Sequence, residues 1–300
     1  MPYHQVSAVI TRRNRLLNMD VSTEIRSVLT PDEQTAALAL IEAAARADGV
    51  GPISEHGMLW IRYGGPARAL LVYADGELAG YAHVEPDGTE FVVHPGRRGQ
   101  GLGRRLLDGA LELGAKKIWA HGDHPAAAAL ARAAGLDRVR ALWQMRRPLA
   151  EPFPEPRLPE GVRLRAFVPG ADEEEWLGVN SRAFATHPEQ GKWTRSDIDQ
   201  REAEAWFDPA GFLIADRGGR MAGFHWTKVE DGVGEVYVVG VDPSEQGTGL
   251  GRALTLAGLA HLRDRGLELV TLYVDEENRP AVKLYESLGF EHFGTDVMYA

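Results

Sequence analysis

Gly234-Glu235-Val236-Tyr237-Val238-Val239-Gly240-Val241-Asp242-Pro243 runs on into Gln246-Gly247-Thr248-Gly249-Leu250-Gly251-Arg252. The first part reads as a strand, because β-branched and aromatic side chains dominate it and turn residues bound it. Asp242-Pro243 ends that strand, since proline has no N–H for a sheet ladder. Gln246-x-x-Gly249-x-Gly251 follows, and a helical pattern extends from Leu250 to about Arg265. A glycine turn opening a helix leaves several N–H groups aimed at one point with the helix dipole behind them, which makes a cradle for pyrophosphate. A Walker loop would need Gly-Lys-Ser/Thr, and a dinucleotide fingerprint needs Gly-x-Gly-x-x-Gly with a later acid. Neither fits here.

The device occurs twice. Phe91-Val92-Val93-His94-Pro95 leads into Arg98-Gly99-Gln100-Gly101-Leu102-Gly103-Arg104 and a helical run to about Leu113. Pro95 and Pro243, Gly101 and Gly249, and Gly103 and Gly251 differ by one common offset, so the chain is internally duplicated. Its 300 residues suit two domains, each large enough for its own core. With this repeat in hand the chain resembles the GCN5-related N-acetyltransferases (GNAT), whose acyl-CoA loop is Gln/Arg-x-x-Gly-x-Gly/Ala after a strand and a proline. The fold class implied is α+β: two tandem GNAT domains, each a mostly antiparallel sheet flanked by helices.

Composition narrows the rest. A net charge of −10 argues against nucleic acid and anionic membranes as partners. With no cysteine there is no disulfide, thiolate metal site or cysteine nucleophile. No apolar run approaches membrane-spanning length, and Arg12-Arg13-Asn14-Arg15 has no apolar core behind it, so no secretory signal is read and a cytoplasmic protein is expected. Residues 1–22 read as an unstructured leader, with Met19 a second candidate start. Residues 23–150 form the first domain. The proline-rich stretch from Glu151 to Pro159 lies in a linker over 151–160, and residues 161–300 form the second domain.

Within the first domain, Thr30-Pro31-Asp32-Glu33 starts a helix that ends near Asp48-Gly49, and strands are read at 70–74, 78–84, 90–93 and 117–120, with Leu142–Arg146 closing the sheet. The second domain repeats the order, with a helix from Thr194 to Trp206, a last helix from Asn278-Arg279-Pro280 to Gly289, and His292–Tyr299 closing its sheet.

N-acetyl transfer from a thioester needs a neutral amine, a polarised carbonyl and a proton for the departing thiolate. Glu235, at the start of the strand entering the second cradle, is the candidate base. Tyr285 lies two helical turns after Asn278 on one helix face and is the candidate acid. The family pattern puts an asparagine and a tyrosine at these positions, whereas the first half has His124 and Ala131, and its residue matching Glu235 is Asp87 in a turn. The second domain is therefore expected to be catalytic and the first to bind acyl-CoA without catalysing. A strand glutamate is commonly solvated and a tyrosine before Leu-Gly-Phe commonly core; their position beside one cradle favours chemistry. The oxyanion donor is expected among the backbone N–H groups of Val239, Gly240 and Val241, with a bulge hinted by Gly240. His121 and His124 lack further ligands at metal spacing, so no metal is expected. Trp193, Trp206 and Trp226 are expected in core or pocket wall.

By resemblance, acetyl-CoA contacts in the second domain are Val239, Gly240, Val241, Gln246, Gly247, Thr248, Gly249, Leu250, Gly251, Arg252, then Asn278, Arg279, Pro280, Ala281, Val282 and Lys283. Those in the first are Phe91, Val92, Val93, Gly99, Gln100, Gly101, Leu102, Gly103 and Arg104. Further motifs narrow the likeness to a tandem-domain branch that acetylates the cysteinyl amine of a cysteine–glucosamine–inositol conjugate. They are His187-Pro188-Glu189-Gln190-Gly191, Glu204 to Pro209, His225-Trp226-Thr227-Lys228 and Trp119-Ala120-His121-Gly122. That branch implies acceptor contacts at Glu55, Glu189, Lys228, Glu235 and Tyr273. Two rivals stand: the same chemistry on another amine, such as an aminoglycoside or a protein terminus, and a non-catalytic acyl-CoA sensor. Fused halves are expected to replace the pairing of single-domain relatives, giving a monomer.

Overall fold

The computed structural model of the chain describes residues 12–16, 19–187 and 189–300. Two compact units result: residues 1–142 with 294–300, and residues 143–293.

Unit 1 begins with two paired strands, β1 (Arg12–Leu16) and β2 (Met19–Arg26). Most of the expected leader from residue 12 onward is therefore part of the sheet; its remainder, 1–11 with 17 and 18, lies outside the described residues. Helix α1 (Pro31–Asp48) starts at the predicted box: the Glu33 N–H donates to Thr30 Oγ1 and the Thr30 N–H to Glu33 Oε2 at 2.8 Å. After α2 (Glu55–Tyr63) come β3 (Arg68–Ala74), β4 (Glu77–Val84) and β5 (Thr89–Val93), all antiparallel. Then α3 (Leu102–Glu112) crosses to β6 (Ile118–Ala120), which pairs parallel with β5, followed by α4 (Pro125–Ala133). Strand alternation divides the core between the two faces of the sheet. Ala69 and Leu71 of β3 pack with Ala37, Leu40, Ile41 and Ala44, one stripe of α1 at helical spacing. Leu70 and Val72 pack with Leu102, Leu106 and Ala110 of α3.

Strand β7 (Arg138–Pro148) passes from one unit to the other at Leu142. Unit 2 holds β8 (Val162–Ala166), α5 (Glu173–Ala183), α6 (Arg195–Glu202), β9 (Phe212–Arg217), β10 (Arg220–Glu230) and β11 (Val233–Val241). It continues through α7 (Leu250–Asp264), β12 (Leu269–Asp275) and α8 (Arg279–Ser287) into β13 (Glu291–Tyr299). Strands β8 with β9, β9 with β10 and β10 with β11 pair antiparallel, and β11 with β12 pairs parallel. One face packs α7 and α8 through Leu256, Leu259, Leu262 and Val282. The other packs α5 and α6 through an aromatic cluster of Trp176, Phe212, Phe224 and Trp226. Helix α6 stops at Glu202, so Trp206, expected at its end, lies in the following loop.

Two strand assignments differ from the sequence reading. Val297, Met298 and Tyr299 of β13 pair with Ala120, Trp119 and Ile118, so the end of the chain completes unit 1. The later part of β7 serves unit 2, where Thr271 Oγ1 donates to Met145 O at 3.1 Å. The proline-rich stretch 151–160 also belongs to unit 2, with Phe153 packed on its core. Alternation in a closing strand fixes which residues face the core but not which sheet receives it. Among the described residues no helix is long and apolar enough to cross a membrane.

Candidate active site

In each unit the parallel strand pair opens into a fork above a glycine-capped helix. In unit 2, β11 and β12 pair only at Gly234–Val270, Glu235–Thr271 and Val236–Leu272, and then diverge. The Asp242 N–H donates to Ala222 O at 3.0 Å, so strand alternation turns the N–H groups of Val239 and Val241 away from β10 and into the fork. The register slips between Trp226 and Thr227, leaving Tyr237 as the extra residue. The bulge therefore sits at Tyr237, not at Gly240 as expected. Gly240 is small for another reason: a Cβ there would lie 2.6 Å from Phe224 Cζ.

The cradle itself is a rigid turn. Asp242 accepts from the Ser244 N–H at 3.0 Å and from Arg182 Nε at 2.9 Å. Burial opposes its ionisation, but Ser244 and Arg182 outweigh that and bring its pKa down to about 2. Buried Glu245 is clamped by Arg217 and Arg220 at 3.0 and 2.7 Å. Gly249 adopts φ +86° and caps α7 with no side-chain hydrogen bond, as Gly101 does for α3 at φ +83°. The first-turn N–H groups of Leu250, Gly251 and Arg252 thus receive no side-chain cap, and Gln246, Gly247 and Thr248 precede them in the turn. Arg252 is steadied by Ser287 Oγ at 2.8 Å.

At the neighbouring helix, Asn278 Oδ1 caps α8 through the Ala281 N–H at 3.3 Å, with Arg279, Pro280, Val282 and Lys283 in the first turns. Tyr285 packs edge-on to Phe290, and burial pushes its pKa up to about 12. A phenol with that pKa keeps its proton at neutral pH.

Four of the five expected acceptor contacts belong to unit 2, and strand register puts three of them on one sheet face. Lys228 stands directly opposite Glu235, Glu235 opposite Thr271, and Tyr273 two residues further along β12. The Lys228 ammonium lies 4.9 Å from the Trp206 ring centre and 2.9 Å from Glu230 Oε2, while Gln144 donates to the Tyr273 hydroxyl at 3.1 Å. Glu189 follows α5; its N–H donates to His187 Nδ1 at 3.2 Å, and His187 Nε2 lies 3.7 Å from Asp275, at the end of β12. Glu55, the fifth, opens α2 in unit 1. Trp193, Trp206 and Trp226 form the aromatic wall of this face, as expected.

Unit 1 has the same fork with different side chains around it. Thr89 and Glu90 pair with Ile118 and Trp119 before Phe91, Val92 and Val93 diverge, and a cavity of about 450 Å³ opens between Val93, Gly99, Gly101, Leu102, Gly103 and Arg104 and the helix after His124. Asp87, expected to match Glu235, sits in the turn before β5 and pairs with Lys117 at 3.2 Å. At the head of the cavity His121 bonds Glu90 at 3.0 Å and Asp296 at 2.9 Å. Burial disfavours its cation, yet Asp296 and Glu90 prevail and raise its pKa to about 10. An imidazolium held by two carboxylates cannot accept a proton from an amine near neutral pH. Sequence reasoning missed this triad, because Asp296 arrives from the far end of the chain.

Comparison with known proteins follows the same division. The model of the acetyltransferase (GNAT) family matches residues 36–136 and 176–290. The mycothiol acetyltransferase of Thermobispora bispora is 62% identical over 295 residues, covering 94% of this chain and 99% of that protein. The mycothiol acetyltransferase of Thermomonospora curvata is 59% identical over 281 residues, covering 90% and 94%. Among solved structures, a GCN5-related N-acetyltransferase from Sphaerobacter thermophilus matches with a TM-score of 0.66 at 28% identity, covering 92% of this chain and 94% of that one. A tandem GNAT protein from the clavulanic acid biosynthesis pathway gives 0.71 at 20% identity, over 93% and 97%.

Proposed function

Since the chain belongs to the GNAT acetyltransferase family, we propose that unit 2 transfers the acetyl group of acetyl-CoA to the cysteinyl amine of the cysteine–glucosamine–inositol conjugate, giving mycothiol and CoA. The protein is an N-acetyltransferase. The observation that carries the site reading is the fork of unit 2, where Glu235 sits one residue before the last paired rung, Val236–Leu272, and the cradle begins beyond it. The acceptor follows from the mycothiol acetyltransferases with which the chain aligns over nearly all its length.

Acetyl-CoA supplies an activated thioester. The residues from Gln246 to Arg252 hold its pyrophosphate, and Asn278 to Lys283 flank the chain leading to the sulfur. Glu235 takes the proton that the ammonium must lose before it can attack. The Val239 and Val241 N–H groups, fixed before reaction begins, donate to the oxyanion that develops on the thioester carbonyl. Tyr285 returns a proton to the departing sulfur. Glu189, Lys228 and Tyr273 hold the polyhydroxyl acceptor. Unit 1 binds acetyl-CoA through Phe91, Val92, Val93 and the Gly99–Arg104 turn without catalysing, in a monomer that works in the cytoplasm.

Full-length protein mixed with acetyl-CoA and the conjugate is expected to release CoA and give the acetylated conjugate by mass. CoA release only with other amines would reassign the acceptor; bound acetyl-CoA with no turnover on any amine would make the chain a sensor. Tyr285→Phe, which keeps the packing on Phe290, is expected to lower kcat roughly 10- to 100-fold with the KM for acetyl-CoA nearly unchanged. That lies at the low end for a lost acid, because a thiolate is a tolerable leaving group. An unaltered kcat would remove the tyrosine from the mechanism.

A further inference from the structure

Outside both forks, unit 1 holds a cluster that acetyl transfer does not use. His83 is fully buried at the end of β4, and among the described residues neither ring nitrogen has a hydrogen-bond partner. Glu85 is two residues further on, just past the end of the strand. His83 Nε2 lies 3.5 Å from Glu85 Oε1. From α2, His56 brings its Nε2 to 3.1 Å from that same oxygen. The two imidazoles meet edge to face, 5.5 Å between centres. Thr89 Oγ1 donates to the Glu85 carbonyl at 2.6 Å and fixes the backbone of the turn.

A buried imidazole without a hydrogen bond is costly, and most buried polar groups are satisfied. The three ligand atoms all lie within 4.8 Å of one another. Ligands at about 2.0–2.2 Å from a tetrahedral zinc ion stand roughly 3.3–3.5 Å apart, so small side-chain rotations suffice to close the set. His56 is exposed and leaves an entry path from solvent. We propose that His56, His83 and Glu85 bind one divalent transition-metal ion, zinc fitting best, with a fourth position open to water. Two imidazoles and one carboxylate suit zinc over magnesium or calcium, which prefer all-oxygen sites. The ion ties the first turn of α2 to the end of β4, so its role is to clamp that corner of unit 1.

The test uses the full-length chain, freed of any polyhistidine tag and treated with chelator, titrated with Zn²⁺ by calorimetry and with Co²⁺ by visible absorption. One equivalent is expected to bind, with the strong visible bands of a tetrahedral Co²⁺ site. His56→Ala and Glu85→Gln are each expected to weaken binding by at least the roughly 10- to 100-fold that loss of an outer-shell partner alone costs. His56 is exposed, so its removal leaves the core intact even if a change at His83 does not. Zn²⁺ should also raise the thermal midpoint of the parent chain and not of the variants. No saturable equivalent, or equal affinity in the parent and His56→Ala, would overturn the assignment.

Discussion

Glu235→Gln is expected to lower kcat by about 10²- to 10⁴-fold, the usual contribution of a positioned base, while acetyl-CoA still binds as it does to the parent. The two effects separate because the two sites do. Glu235 sits on one of the three rungs that β11 shares with β12, next to the last, whereas the pyrophosphate cradle lies beyond the strand's end at Gly247 to Gly251. Glutamine keeps the size and one acceptor oxygen of glutamate, so the Lys228 neighbour across the register and the aromatic wall stay in place. What it loses is the ability to hold a proton taken from the ammonium. An α-amine of pKa about 8 is mostly protonated at neutral pH, so the variant should regain rate as pH rises toward and past that value. Steady-state kinetics against pH, with acetyl-CoA binding measured separately, reads both effects. A parent-like kcat at neutral pH, or a loss confined to acetyl-CoA affinity, would take the base role away from Glu235.

Readings carried by a contiguous motif survived folding, and those that depended on which elements meet did not. The cradle was legible twice over because its signal is contiguous: a strand, a proline and two glycines on the way into a helix. The capping box at Thr30 and the asparagine cap at Asn278 were equally local. Gly240 misled, because a glycine in a strand can mark either a bulge or a close approach, and here Phe224 and Phe184 crowd it. The bulge fell at Tyr237, where the register with β10 slips by one residue. The destinations of β7 and β13 were hidden, since the pattern of a strand names its buried face and not its neighbour. The same limit hid His56, His83 and Glu85. The pair of His83 and Glu85 is visible as i and i+2, but nothing in the sequence says that the first turn of α2 comes to meet it. His121 is set aside as a metal ligand for want of partners at metal spacing; in the fold both its nitrogens are taken by carboxylates.

Gly258→Ala is expected to destabilise unit 2 by about 2 kcal/mol or more, against the ordinary preference of helices for alanine. That preference alone would favour the change by up to about 1 kcal/mol within α7. The space decides otherwise. His225, fully buried on β10, donates from Nδ1 to the Leu254 carbonyl at 2.7 Å, and that carbonyl lies one helical turn before Gly258. The ring is thereby laid across the bare Cα of Gly258, where an added Cβ would stand 1.9 Å from Cε1 and 2.2 Å from Nδ1. Burial holds the imidazole neutral, with its pKa pushed down to about 4, so it cannot leave as a solvated cation without breaking the layer between β10 and α7. Overpacking of this kind costs about 1–3 kcal/mol and more when the neighbour cannot move, which exceeds the helix gain. Gly178→Ala is the matched control. It lies within α5, where the added Cβ would meet only the end of the Arg182 side chain at 3.4 Å, so the helix gain should appear unopposed. Urea unfolding of the two variants should therefore move the midpoint in opposite directions. Equal or greater stability of Gly258→Ala would mean that α7 and β10 are not locked together through His225.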